Sequence, residues 1–189
     1  MDHLEAIIEL KKIIQPNFIK KIIPLINKKA KKKLTVVKRL NTNIRNVINT
    51  NIRNVRGYSL TFDTPTDIFY FNYIKQEIER LYVYYKIKFP KMATVKINQI
   101  DLLKYNPGGK YELHIDQYTS TPRHLSIIIN LNNNYEGGDL IFTDQKEKEI
   151  KRLKLEEGSI VFFPSNFMYP HKIEPITKGT RYSIVAWLQ

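Results

Sequence analysis

The chain has 189 residues, 42% of them hydrophobic, which is enough for one core and short for two domains. It contains no cysteine, which excludes a disulfide framework, a thiolate metal site and a cysteine nucleophile, so any metal must take nitrogen and oxygen ligands. The formal net charge of +13 is uneven: residues 1–60 carry 14 Lys/Arg against 3 Asp/Glu, a balance of +11 that leaves +2 for the rest.

The first ten residues carry Asp2, Glu5 and Glu9 and lack the basic flank and apolar run of a signal peptide, and no later window approaches membrane-spanning length. A soluble intracellular (cytoplasmic) protein with no membrane partner is expected. Leu4, Ile7 and Ile8, then Phe18, Ile22 and Ile26, follow helical spacing interrupted at Gln15-Pro16, which predicts two short helices. The lysine cluster from Lys28 to Lys33 reads as a solvated face, because no interleaving of aromatic and basic residues marks a base-stacking platform. Contact of this basic N-terminal region with nucleic acid is the alternative. The heptapeptide NTNIRNV at 41–47 recurs at 49–55 and reads as a local duplication in an exposed connecting segment, with a functional basic arm as the other possibility.

A clearer helix begins at Thr64, where Thr64 caps, Pro65 suits the first turn and Asp67 stands three residues on. Ile68, Phe71, Ile74, Ile78, Leu81 and Tyr85 then line one face, predicting a helix packed on a sheet. Beyond it the periodicity changes to eight β-type runs, at 95–105, 110–114, 125–131, 139–143, 149–153, 158–163, 171–174 and 181–188, separated by turn signals such as Asn106-Pro107-Gly108-Gly109 and Glu136-Gly137-Gly138. The expected fold is mainly β with N-terminal helices: a double-stranded β-helix, or jelly roll, buttressed by helices. It is read as a single domain over 1–189, with a helical, basic support region at 1–90 and a jelly-roll core at 95–189.

His114 and Asp116 are one residue apart, so at the end of an extended segment both side chains leave one face and can converge on an ion. His171 falls on the seventh run, and the second and seventh strands of a jelly roll are neighbours. Two imidazoles and a carboxylate on one face of a metal leave adjacent positions open, as non-haem Fe(II) oxygenases require. Alternation in the eighth run points Arg181, Ser183, Val185 and Trp187 one way and Tyr182, Ile184 and Ala186 the other. A guanidinium directed into a barrel needs an anion; a dicarboxylate would meet it bidentately with Ser183 as a further donor, and a salt bridge to an internal Asp or Glu is the bland alternative. His3 and His124 have no partners at suitable spacing and receive no role.

Together the segment from Tyr105 to Asp116 (YNPGGKYELHID), the run LSIIINLN at 125–132, the turn GGDLIF at 137–142 and the closing block from Gly158 to Trp187 resemble the prolyl 4-hydroxylase branch of the 2-oxoglutarate/Fe(II) oxygenase superfamily. The resemblance implies His114, Asp116 and His171 as iron ligands, Arg181 as partner of the 2-oxoglutarate 5-carboxylate and Tyr105 as a hydrogen-bonding wall beside it. It also implies a pocket lined by Tyr111 and Trp187, Fe(II) as cofactor, 2-oxoglutarate and O2 as cosubstrates, and ascorbate as a reductant. Where some family members carry a second cosubstrate-binding tyrosine in the core strand, this chain has Asn130, whose amide can still hydrogen-bond. Tyr105 and Tyr111 can equally be packed core residues.

The activity so implied is hydroxylation of proline in a protein or peptide, with Arg123 either touching the peptide backbone or solvating a loop. Two other readings stay open at this point. One is the same chemistry on an amino acid, another side chain or a nucleobase. The other is a non-catalytic jelly-roll binding protein, which has no physical need to keep all four of His114, Asp116, His171 and Arg181.

Overall fold

A computed structural model of the chain describes residues 3–40, 43–92, 96–117 and 122–189. Val95, with which the first strand was expected to begin, and Asn41 and Thr42 of the first repeat copy lie outside them.

Only one of the two expected N-terminal helices forms. His3–Ala6 is a short 3-10 turn and Ile8–Leu10 a strand, β1, before helix α1 spans Pro16–Lys29. Leu4, Ile7 and Ile8 are too few to nucleate a helix alone, and β1 gains a ladder with a later strand instead. In α1, Pro16 stands where its missing N–H costs nothing, Phe18, Ile19, Ile22 and Ile26 are buried, and Lys28 and Lys29 face the negative end of the helix dipole.

Next come strands β2 (Lys32–Lys33), β3 (Val36–Leu40), β4 (Asn43–Val47), β5 (Arg53–Asn54) and β6 (Arg56–Ser59). The repeat is therefore not a plain connecting loop: most of its first copy is β4, paired antiparallel with β3, and its second copy ends in β5. Helix α2, Pro65–Lys88, is capped as the sequence predicts, Thr64 accepting the backbone N–H of Asp67 at 3.2 Å. Its Phe71, Ile74, Ile78, Leu81 and Tyr85 are buried, each aliphatic contributing about 2 kcal/mol on burial, while Ile68 turns out to solvent.

The remaining strands are β7 (Ile97–Tyr105), β8 (Lys110–His114), β9 (Leu125–Asn130), β10 (Tyr135–Gly137), β11 (Leu140–Thr143), β12 (Glu149–Leu153), β13 (Ile160–Pro164), β14 (His171–Ile173), β15 (Ile176–Gly179) and β16 (Arg181–Leu188). They build a seven-stranded sheet in the order β1-β13-β9-β16-β7-β6-β2 and a five-stranded sheet in the order β12-β11-β14-β8-β5. The eight runs seen in the sequence are β7, β8, β9, β11, β12, β13, β14 and β16, divided evenly between the two sheets, as a jelly roll requires. Strands β10 and β15 pair apart from both sheets. There Gly137 holds φ +75°, and a Cβ would run into the Pro175 carbonyl oxygen.

Alternation sorts the core into two layers. Ile127, Ile129, Ile184 and Ala186 face α1 and α2, whereas Ile128, Leu103, Val161 and Phe163 face the second sheet. The helices are anchored on one buried carboxylate: the partly buried Lys29 Nζ reaches Asp67 Oδ1 at 2.5 Å, and Tyr58 OH donates to Asp67 Oδ2 at 2.6 Å. Thus α1, α2 and β6 share a carboxylate that is fully shielded from solvent. No helix among the described residues is long and apolar enough to cross a membrane.

Candidate metal centre

The centre forms where β8 and β14 run side by side in the five-stranded sheet. His114 and His171 are direct cross-strand partners in that ladder. Two residues past the end of β8's pairing, Asp116 bends back between them. Asp116 Oδ1 lies 3.5 Å from His114 Nε2 and Asp116 Oδ2 3.7 Å from His171 Nε2. One ligand atom from each side chain lies within 4.8 Å of the others, and no other group of three His, Cys, Asp or Glu among the described residues could hold a metal ion.

Each imidazole is aimed by the protein. Nδ1 of His114 sits 2.8 Å from the Glu112 carbonyl, and Nδ1 of His171 3.1 Å from the Tyr169 carbonyl. A carbonyl only accepts, so Nδ1–H donates in both rings and the Nε2 lone pairs are left facing Asp116. Burial, with the neighbouring His114, pushes His171 down to about 4, against the opposing pull of Asp116, so the ring is neutral near pH 7 and its lone pair is available. Burial alone would raise the Asp116 carboxyl, but the imidazoles and the Ser126 hydroxyl outweigh it and keep the group ionised. Ser126 Oγ donates to Asp116 Oδ2 at 2.7 Å, and Ser165 Oγ, also 2.7 Å away, closes the chain.

A cavity opens from these three residues. Tyr105, Tyr111, Arg181, Ser183 and Trp187 all line it, with Leu103, Ile128 and Val185 as its apolar wall. Arg181 is 1% exposed and forms no ion pair among the described residues, so the salt bridge weighed as its alternative is not made. Its Nε donates to Asn130 Oδ1 at 3.1 Å, while Nη2 has no partner, nor does the buried Ser183 Oγ beside it. Buried donors left like this cost free energy unless a ligand meets them. A carboxylate fits these two donors in chemistry, and two imidazoles with one carboxylate fit a ferrous ion. Gly138 holds φ +71°, and a Cβ there would run into Ile176 Cδ1 and crowd Arg181 Cδ at 3.3 Å. Burial pushes the Tyr105 phenol up despite Arg181 and Arg53 nearby, so it stays a neutral donor.

Two expected site residues stand elsewhere. Asn130 does not line the cavity. Its amide nitrogen is used by the carbonyls of Asn132 and Leu155, at 2.6 and 3.1 Å, and its oxygen by Arg181 and the Tyr135 hydroxyl, so it aims Arg181 rather than meeting a ligand. Arg123 is likewise outside the wall. It lies 3.7 Å from the Trp187 ring and donates to the Asp116 carbonyl at 3.2 Å, bracing the metal centre from behind.

The sequence reading missed Ser126, Ser165, Tyr135 and Arg53. Ser126 left a signal, a lone hydroxyl in an apolar strand two residues from Ile128 and four from Asn130 on one face. Arg53, which also lines the cavity, left none, because only the pairing of Arg53 with Tyr111 in the β5–β8 ladder brings it there.

A jelly roll that converges two imidazoles and one carboxylate on a point, with open space beyond them, has the architecture of the mononuclear non-haem oxygenases. Residues 100–189 match the family model described as the 2OG-Fe(II) oxygenase superfamily. It is 35% identical over 98 residues to a PKHD-type hydroxylase of Prochlorococcus marinus, covering 50% of this chain and 42% of that one. A PKHD-type hydroxylase of Gloeothece citriformis is 30% identical over 100 residues, covering 50% and 44%. The matched segment spans less than half the length of these curated relatives. The fold is shared with a Pseudomonas putida prolyl-4-hydroxylase, at TM-score 0.70 and 18% identity over 100% of this chain and 95% of that one. It is shared too with a Trichoplax adhaerens prolyl hydroxylase in complex with a hypoxia inducible factor peptide, at TM-score 0.74 and 17% identity over 99% and 86%.

Proposed function

We propose that this protein is an Fe(II)- and 2-oxoglutarate-dependent hydroxylase acting on proline in a protein or peptide, with residues 1–189 working as one catalytic unit. The observation that carries this reading is the placement of His114, Asp116 and His171 at one end of a cavity that also exposes the unpartnered Nη2 of buried Arg181. In it, His114, Asp116 and His171 hold the iron, while Arg181 and Ser183 take the distal carboxylate of 2-oxoglutarate and Tyr105 donates beside it.

When bound, ferrous iron with 2-oxoglutarate and O2 supplies an oxidative decarboxylation to succinate and CO2 coupled to hydroxylation of a C–H bond. The protein's own part is positional. The Glu112 and Tyr169 carbonyls hold the imidazole protons on Nδ1, Ser126 holds the Asp116 carboxylate, and Asn130 holds the Arg181 fork. Leu103, Ile128 and Val185 keep water from the space between metal and guanidinium. The peptide-proline assignment is supported by the PKHD-type and prolyl hydroxylase relatives, one of which was solved with a peptide bound.

The test is aerobic incubation with ferrous iron, 2-oxoglutarate and ascorbate, following succinate and the mass of proline-containing peptides. Succinate release and a gain of one oxygen on proline, both absent in His171→Ala, are expected. Succinate release stimulated by DNA or a free amino acid and never by a peptide would redirect the substrate assignment. No succinate under any condition would leave only a binding protein.

A further inference from the structure

Arg53 is the one cation of the cavity for which the reading above has no use. Its guanidinium lies 4.6 Å from the Tyr111 ring centroid, and Tyr111 stacks on His114 with centroids 3.5 Å apart. It is therefore two rings removed from the metal centre, on the strand that closes the edge of the smaller sheet. Its Nη1 donates to the Thr35 carbonyl at 3.1 Å, and its Nε is shielded from solvent with no hydrogen-bond partner. No carboxylate among the described residues pairs with it, and the carboxylate of the cavity, Asp116, is engaged by two imidazoles and Ser126. Nor can its own segment supply a counter-charge, because residues 10–62 contain 14 Lys/Arg and no Asp or Glu.

Two arginines in one pocket offer sites for two anions. Arg181 at the floor answers to the diacid. Resting on the peptide-hydroxylase reading, we infer that Arg53 receives a carboxylate of the substrate itself, an Asp or Glu side chain flanking the target proline, and so selects acidic sequences. The geometry favours a carboxylate over a nucleic acid backbone. One guanidinium fork over an aromatic ring, beside an apolar wall, matches a single planar anion, whereas a phosphodiester chain calls for a row of cations. The duplicated NTNIRNV segment gains a purpose as well, since its second copy is what carries Arg53 to β8.

Trp187, the sole tryptophan, lines the same cavity and reports on its contents. The full chain is loaded with redox-inert Mn(II) and 2-oxoglutarate, and its fluorescence is titrated with acetyl-Gly-Asp-Pro-Asp-Gly-amide and with the Asn counterpart. The acidic peptide should bind about tenfold more tightly at low salt, a difference of about 1.4 kcal/mol. The ratio should fall to about one in Arg53→Gln and to an intermediate value in Arg53→Lys, which keeps the charge without the fork, with circular dichroism confirming that both variants fold. A ratio near one in the native protein, a ratio that survives Arg53→Gln, or 2-oxoglutarate bound with neither peptide held overturns the inference. So does an Arg53→Gln variant that loses 2-oxoglutarate as steeply as peptide, or Arg53-dependent binding of oligothymidylate in place of peptide. Failure to bind 2-oxoglutarate at all sinks the oxygenase reading first, so the two failures are told apart.

Discussion

His114 and His171 face each other across the β8–β14 ladder with ring centroids 4.3 Å apart, so one strand pairing sets the spacing of the two imidazoles. Removing either ring leaves Asp116 with a single nitrogen partner. His114→Ala and His171→Ala should each weaken Mn(II) binding by more than about 100-fold, beyond the usual loss when only a supporting partner is removed. Calorimetric titration measures it, and a variant that still bound the metal at native strength would remove that residue from the centre. Chelation should likewise abolish succinate release, with ferrous iron restoring it.

Ser126→Ala should keep the fold and lower metal affinity by about tenfold. The Asp116 carboxylate loses its 2.7 Å hydroxyl partner, while its contact with the two imidazoles remains. Competitive titration against a fluorescent chelator reads the change.

Arg181→Gln should raise the dissociation constant of 2-oxoglutarate about 30-fold, since a hydrogen-bonded charge pair contributes about 2 kcal/mol. Asn130→Leu should act differently. It strands the carbonyls of Asn132 and Leu155 and frees Arg181 Nε, so thermal stability should fall by about 3 kcal/mol along with cosubstrate binding. Thermal denaturation separates the two, because Arg181→Gln in excess cosubstrate should bind while Asn130→Leu melts early.

Asp67→Asn should destabilise the protein by about 3 kcal/mol by leaving Lys29 without its charged partner. Burial opposes ionisation of Asp67, but the bonds from Lys29 and Tyr58 prevail and hold its carboxyl below the ordinary value. The folded value lies under the unfolded one, about 3.9, so the contribution is complete above pH 4 and fades as pH falls through the folded value. Denaturant melts between pH 6 and pH 3 should show the native protein losing stability on acidification, with a shallower loss in Asp67→Asn.

Alternation and turn residues were strong enough to mark the eight jelly-roll strands, and α2 announced itself through Thr64, Pro65 and a periodic face. The N-terminal strands were not legible for a physical reason. Lys32–Lys33 and Arg53–Asn54 are too short to carry a period, and each is a strand only because a distant edge accepts its backbone. Tyr135–Gly137 and Ile176–Gly179 read as turns because their glycines serve a bulged pairing that local sequence does not encode.

What the sequence determined by itself was the chemistry of the centre: with no cysteine, a His-x-Asp pair ahead of a distant His and Arg restricts the ligands to imidazole and carboxylate. The tertiary structure decided which groups face the cavity. Asn130 and Arg123 turned into supports, while Ser126 and Arg53 entered the site, because burial and cross-strand register assign a polar side chain its partner and neither is a local property of the chain.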